Sequence, residues 1–283
     1  MNAHLLAADR GWAPSSPCGA ECLPAETARG GVFRIVGMAL VLVAVVVAVP
    51  VLPRRAREWW TRRCARVVLA VAGVRFVVRG DAAFAPAGQG ALVVANHLSW
   101  IDVIALNAVG PVRMLAKREV AQWPLIGGLA ARTGALFVDR AGLRGLPDTV
   151  AETTGALRAG ATVGVFPEGT TWCGVAAGAF RRAPFQAAID AGVPVRPVAI
   201  TLRGADEAPA PAATFVGEQT LLDSMRRIVA TPGLVCELDI LPMIPVDTGG
   251  DRRALAARAA AAVGAATGVP HGERRRTATL AAA

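Results

Sequence analysis

The chain has no tyrosine, three histidines and only 5% aromatic residues, and its 30 basic residues include a single lysine, Lys117. The net charge of +9 is therefore almost wholly arginine. These arginines do not alternate with stacking aromatics, and no finger or basic-zipper spacing is present, so nucleic acid is not the expected partner. Five cysteines (Cys18, Cys22, Cys64, Cys173 and Cys236) give an odd count without regular spacing, which excludes a disulfide framework. Cys18 and Cys22 are close enough to share a metal. No second ligand pair lies near them in sequence, so they read as incidental thiols, with no metal site. Serine is scarce too: Ser99 is the only one between Ser16 and Ser224, and no Gly-x-Ser-x-Gly elbow occurs. A serine-nucleophile mechanism has little to work with.

What the chain has in abundance is apolar sequence, 54% of 283 residues, enough for one α/β domain with appendages. Ile35 to Leu52 is uncharged and close to the lower limit for crossing a bilayer, which takes about 20 helical residues. Charge follows it rather than a cleavage pattern, which argues against a signal peptide. Arg54, Arg55, Arg57, Arg62, Arg63 and Arg66 follow the run, against Arg29 and Arg34 before it. The positive-inside rule then puts the bulk of the chain on the cytoplasmic side of the cell membrane. Trp59 and Trp60 stand where interfacial aromatics lie, and such a basic cluster suits an anionic lipid surface. Val67 to Val78, broken by Arg75, is apolar again, so a re-entrant hairpin competes with a single span.

From residue 74 onward the pattern alternates. Apolar runs near 74–79, 91–95, 112–116, 134–138, 162–166, 195–202 and 234–241 have strand length, and helical stretches fall at 145–158, 180–191, 218–230 and 251–267. The expected fold is α/β, a mainly parallel sheet flanked by helices, preceded by a membrane-anchoring helix or hairpin. The expected divisions are a disordered leader (1–30), an anchor with its basic juxtamembrane segment (31–73), the main domain (74–267) and a disordered basic tail (268–283).

Four segments carry chemistry or frame it. His97 follows the run Ala91 to Ala95, with Asp102 five residues on. An imidazole at a strand end with a carboxylate to orient it makes a general base; the plain alternative, which the motif alone favours, is a histidine capping the next helix. Trp100 and Leu98 beside it would exclude water. Gly134 to Arg140 is a strand ending in an arginine, placed to bind an anion through a bidentate fork, or else an ordinary charged loop. Phe166-Pro167-Glu168-Gly169-Thr170 follows another strand, where Gly169 permits close backbone approach and Glu168 and Thr170 can meet hydroxyl or phosphate groups; the plain alternative is a Pro-Glu-Gly turn. Val193-Pro194-Val195-Arg196-Pro197-Val198 reads as architecture. Lys117, the lone exception to arginine, supplies a compact ammonium suited to a phosphate, or survives by chance.

In this order the segments resemble the 1-acylglycerol-3-phosphate acyltransferase family, whose blocks here are Asn96-His97-x4-Asp102, Gly134-x-x-Phe137-x-x-Arg140, Phe166-Pro167-Glu168-Gly169-Thr170 and Val193-Pro194-Val195-x-Pro197-Val198. The resemblance runs from about residue 75 to 245. It implies the family's α/β acyltransferase fold and a membrane-bound enzyme that moves a fatty acyl group from acyl-CoA or acyl carrier protein to a lysophospholipid hydroxyl, with no cofactor. His97 would be the base and Asp102 its orienting partner. Arg140 and Lys117 would hold the acceptor phosphate, and Glu168, Gly169 and Thr170 would line the acceptor side. One departure bears on the acceptor: family members commonly continue Phe-Pro-Glu-Gly-Thr with Arg-Ser, and here Thr171-Trp172-Cys173 follows. A missing cation there opens the alternative of lyso-ornithine lipid. A catalytically silent membrane scaffold has little reason to retain both His97 and Asp102, and a hydrolase would have to admit water past Trp100 and Phe166.

Overall fold

Ala91–Ala95 is an uncharged run in which every residue is buried, as a central strand covered on both faces requires. Its alternation divides the interior into two cores: Val93 and Ala95 enter one, Leu92 and Val94 the other. The computed structural model of the chain describes residues 14–24, 31–81, 83–123, 126–138, 143–247 and 249–272. Its strands are β1 (Arg75–Gly80), β2 (Ala91–Ala95), β3 (Arg113–Lys117), β4 (Leu136–Val138), β5 (Thr162–Val165), β6 (Val195–Arg203) and β7 (Val235–Ile240). They form one seven-stranded sheet in the order β1-β7-β6-β2-β5-β3-β4. From β6 to β4 every pairing is parallel; β7 runs antiparallel to β6 and carries β1 parallel to itself. The mainly parallel α/β sheet expected from the sequence is present, and each apolar run reaches the strand it anticipates.

On one face lie α1 (Val32–Ala48), α2 (Arg54–Val71), α3 (Trp100–Val109) and α7 (Leu221–Ala230), which contribute Met38, Leu69, Ile101, Leu106 and Ile228 to the first core. On the other lie α5 (Leu146–Arg158), α6 (Ala183–Ala191) and α8 (Arg252–Thr267), with Leu157, Phe185 and Val263 in the second. Each large side chain removed from water in this way contributes about 1.5–3 kcal/mol. The short α4 (Ile126–Arg132) sets Leu129 against Val45 and Val49. Arg196 confirms its segment as architecture: it is buried, and its guanidinium donates to the carbonyls of Phe84 and Leu241 and to Asp81.

The segment expected to anchor the chain takes a different form from a single span. The apolar run is helical only as far as Ala48, proline-containing turns follow, and α2 starts at Arg54 and packs back against α1. A Cβ on Gly37 would lie 2.9 Å from Val71 Cγ1, so the two helices touch closely there. Among the described residues no helix is long and apolar enough to cross a membrane. The inward face of α1, Met38 and Val45, is used up in packing, while Phe33, Val36, Leu40, Val43 and Val47 form an exposed apolar stripe at helical spacing. Two arginines counted toward the basic flanks have internal partners: Arg34 donates to the Val229 carbonyl at the end of α7 and Arg66 to the Ala108 carbonyl at the end of α3.

The expectation of disordered ends needs correcting where the ends are described. Residues 14–24 include a 3-10 turn, Ala20–Cys22, and bury Cys18 against Cys173 and Val216. At the other end the ring of His271 has 1% of its side chain exposed and meets Phe180 edge-on at 4.6 Å. Both segments gain apolar cover on the domain that local sequence composition does not reveal. The remainder of leader and tail, with Arg274 to Arg276, lies outside the described residues.

Candidate active site

The chemistry-bearing segments follow the carboxyl ends of four adjacent parallel strands, β2, β5, β3 and β4, the edge at which open α/β sheets bind ligands. His97 lies two residues past β2 and Asp102 sits in the first turn of α3. His97 Nδ1 is 2.8 Å from Asp102 Oδ2, and that same oxygen accepts from the Leu98 and Ser99 N–H groups at 2.6 and 2.8 Å. One carboxylate thus both caps α3 and partners the His97 ring. When the His97 ring donates to this oxygen through Nδ1, Nε2 is the nitrogen left to accept a proton. About a fifth of the His97 side chain, 21%, reaches solvent, whereas Asp102 shows 0%. Ser99 is completely buried, which removes it as a nucleophile.

The loop after β5 holds this pair in place. Phe166 stacks on the His97 imidazole with ring centroids 3.9 Å apart and planes within 5°. Glu168 Oε2 accepts from the His97 N–H at 2.6 Å and Oε1 from the Gly178 N–H at 3.0 Å. The Trp172 N–H donates to the His97 carbonyl at 2.8 Å. Both backbone groups of His97 are thus tied to the Glu168–Trp172 segment. Burial pushes the Glu168 carboxyl up to about 8, against the two N–H bonds that favour its ionised form. Its expected place on the acceptor side is corrected: Glu168 is buried beneath the loop and positions His97 through the backbone. Gly169 does need its freedom, with φ +80, but the group that comes close is Pro14 of the leader, 2.7 Å from where a Cβ would stand. Thr170 is half-buried beside it.

Lys117 ends β3, opposite Val138 of β4, and its side chain is exposed at the same edge. Arg140 lies outside the described residues; Val138, two positions before it, ends β4 at this edge.

Sequence reasoning missed several residues. Asn96 is buried and completes the sheet beyond β2: its Nδ2 donates to the Ile200 carbonyl and its Oδ1 accepts from the Ile200 N–H, both at 2.8 Å. Only its neighbourhood to His97 hinted at this. Gly178 supplies the N–H for Glu168, and a Cβ there would strike the Trp172 indole at 2.6 Å. Phe215 brings its N–H to the Leu98 carbonyl at 2.8 Å and its carbonyl to the Thr171 hydroxyl, fixing a second loop over the site. That loop is anchored by buried Arg227, which donates to the Ala212 and Thr214 carbonyls and to Gln219. Behind the loops, a cavity bordered by Asn96, Leu98, Glu168, Cys173 and His271 adjoins the site without including His97 in its walls.

The arrangement is an imidazole oriented by a buried carboxylate and stacked on an aromatic ring, with an exposed lysine further along the same sheet edge. The acyltransferase family model matches residues 75–201. The lyso-ornithine lipid O-acyltransferase of Pseudomonas aeruginosa is 37% identical over 216 residues, covering 76% of this chain and 78% of that protein. The 1-acyl-sn-glycerol-3-phosphate acyltransferase of Neisseria gonorrhoeae is 35% identical over 59% of this chain and 65% of its own length. The fold matches the crystal structure of the 1-acyl-sn-glycerophosphate (LPA) acyltransferase PlsC from Thermotoga maritima, with a TM-score of 0.66 at 19% identity, over 84% of this chain and 93% of that one. The match to a relative at this identity and coverage, with His97 and Asp102 in place, shows that the chain belongs to the acyltransferase family.

Proposed function

We propose that this acyltransferase moves a fatty acyl group from an acyl thioester, acyl-CoA or acyl carrier protein, to the free hydroxyl of a lyso-lipid, with 1-acylglycerol-3-phosphate as acceptor and phosphatidic acid as product. The observation that carries the reading is the His97–Asp102 pair, its Nε2 free at the strand edge and its ring plane fixed by Phe166. His97 Nε2 takes the acceptor's hydroxyl proton as the oxygen bonds to the thioester carbonyl carbon. The imidazolium gains from the buried Asp102 carboxylate. When the tetrahedral adduct collapses, the carbon–sulfur bond breaks and the imidazolium returns its proton to the departing thiolate, so no acyl-enzyme is formed. Lys117 and Arg140 are assigned to the acceptor phosphate.

A second acceptor has a specific observation in its favour. Thr171 stands where the family commonly has arginine, and its hydroxyl is committed to the Phe215 carbonyl. One cation fewer near the acceptor suits a lyso-ornithine lipid. The exposed stripe on α1 supports attachment to the cytoplasmic face of the cell membrane by lying in the interface rather than by spanning. The deciding experiment offers lysophosphatidic acid and lyso-ornithine lipid in parallel with labelled acyl-CoA. Product from the first assigns phosphatidic acid synthesis; product only from the second assigns lyso-ornithine lipid as the acceptor and ties that choice to the missing arginine at Thr171. Product from neither, with carrier-protein donor also supplied, would overturn acyl transfer to lyso-lipids.

A further inference from the structure

Cys18 and Cys22 are separated from Cys173 by some 150 positions, yet the three sulfurs lie within 4.8 Å of one another, the only such group of metal-ligating side chains among the described residues. None is in a disulfide. Cys18 and Cys173 are buried and Cys22 is half-buried, packed with Trp172, Val216 and Leu23. Sequence alone left these cysteines as incidental thiols because the third sulfur is remote in sequence and is brought in by the loop after β5.

We propose that Cys18, Cys22 and Cys173 bind a zinc ion that clamps the leader onto the active-site loop. Three convergent thiols suit a thiophilic ion better than a disulfide, which would join two and strand the third. A zinc–sulfur bond is about 2.3 Å, so tetrahedral ligation needs sulfurs about 3.8 Å apart. The three sulfurs already lie within 4.8 Å of one another. Cys173 precedes Gly174, whose φ of +85 turns the chain sharply in the loop that carries this sulfur to the leader. Binding releases up to three thiol protons to solvent and involves no change of oxidation state; water or an added ligand fills the fourth position.

The clamp gives a physical reason for the departure from the family pattern at Thr171-Trp172-Cys173. Cys173 is required as a ligand, and Trp172 beside it both holds the His97 carbonyl and packs on Gly178. The leader is drawn over Gly169, where Pro14 lies against the turn. The inference is independent of which lipid is the acceptor.

The test is metal analysis of the full-length chain, purified in detergent under reducing, anaerobic conditions. About one zinc per chain is expected, retained in Cys64→Ser and reduced more than tenfold in Cys22→Ser and Cys173→Ser. Cobalt(II) added to the metal-stripped, unmutated chain is expected to give a thiolate-to-metal charge-transfer band with the strong visible absorption of a tetrahedral site. That spectrum makes the test independent of whether a serine variant folds. Absence of the cobalt band in the unmutated chain would overturn the proposal. So would full zinc retention in Cys173→Ser, or a Cys18–Cys173 disulfide in peptide maps of the alkylated, anaerobic protein.

Discussion

Around His97 each backbone polar group has a partner: the N–H is bonded to Glu168, the carbonyl to Trp172, and the ring to Asp102 on its edge and Phe166 on its face. Two strands further along the same edge, Lys117 is exposed at the end of β3, and its neighbour β4 is only three residues long. In the proposed mechanism the β2–β5 half is the one that transfers the proton, where a small misplacement costs rate. The β3–β4 half offers charge near solvent, which suits a head group arriving from a membrane surface. Rate should therefore be lost on the first side and affinity on the second.

The sharpest way to break this contrast is Asp102→Asn. It removes the charge that stabilises the imidazolium and favours the wrong ring tautomer, so kcat should fall about 100- to 10,000-fold with little change in acceptor KM. A variant that raises KM alone would place Asp102 in binding. Glu168→Gln comes next. The amide can accept from only one of the His97 and Gly178 N–H groups and turns its own NH2 toward the other, a loss of about 1–3 kcal/mol that should lower kcat by about tenfold or more and lower the melting temperature. The same residue sets a pH dependence. Its folded value of about 8 exceeds the ordinary 4.5, so its contribution to stability is full below about 4.5 and is lost as pH rises through about 8. Melting scans should show that decline in the unmutated chain and a flatter profile in Glu168→Gln; parallel profiles would remove Glu168 from the account.

On the other side of the comparison, Arg140→Ala should raise the acceptor KM about tenfold or more and leave donor KM and kcat nearly unchanged, as steady-state kinetics with each substrate varied will read. An effect confined to the donor would move Arg140 out of the acceptor site. The smallest effect on chemistry belongs to α1. Phe33→Glu with Leu40→Glu and Val47→Glu should shift the protein from sedimenting vesicles to the supernatant, while turnover on detergent-dispersed substrate persists. Unchanged sedimentation would mean that another surface carries attachment.

What the sequence made legible follows from the range of the interactions. His97 and Asp102 are five positions apart, and one helix turn fixes their meeting, so the pair is readable without a structure. The strands were readable because a sheet buried on both faces demands short continuous apolar runs. Glu168 was misplaced because its motif shows what the carboxylate is, and only the fold shows that it points inward to the His97 N–H. Asn96 as a stand-in for backbone, Arg227 under the 211–220 loop, and Cys173 with Cys18 and Cys22 all depend on contacts between distant segments, which no local pattern records. The anchor segment was legible only in part: hydropathy offered α1 as a span or as one arm of a hairpin, and only the fold shows it packed on α2 and α7 with Met38 and Val45 turned inward.

The central claim, that His97 is the base for acyl transfer, is tested most directly by comparing the purified chain with His97→Ala in one assay of thioester consumption at saturating lyso-lipid. The account predicts that kcat falls about 100- to 10,000-fold while the variant keeps its fold and still sediments with vesicles. Turnover within about tenfold of the unmutated chain would contradict it.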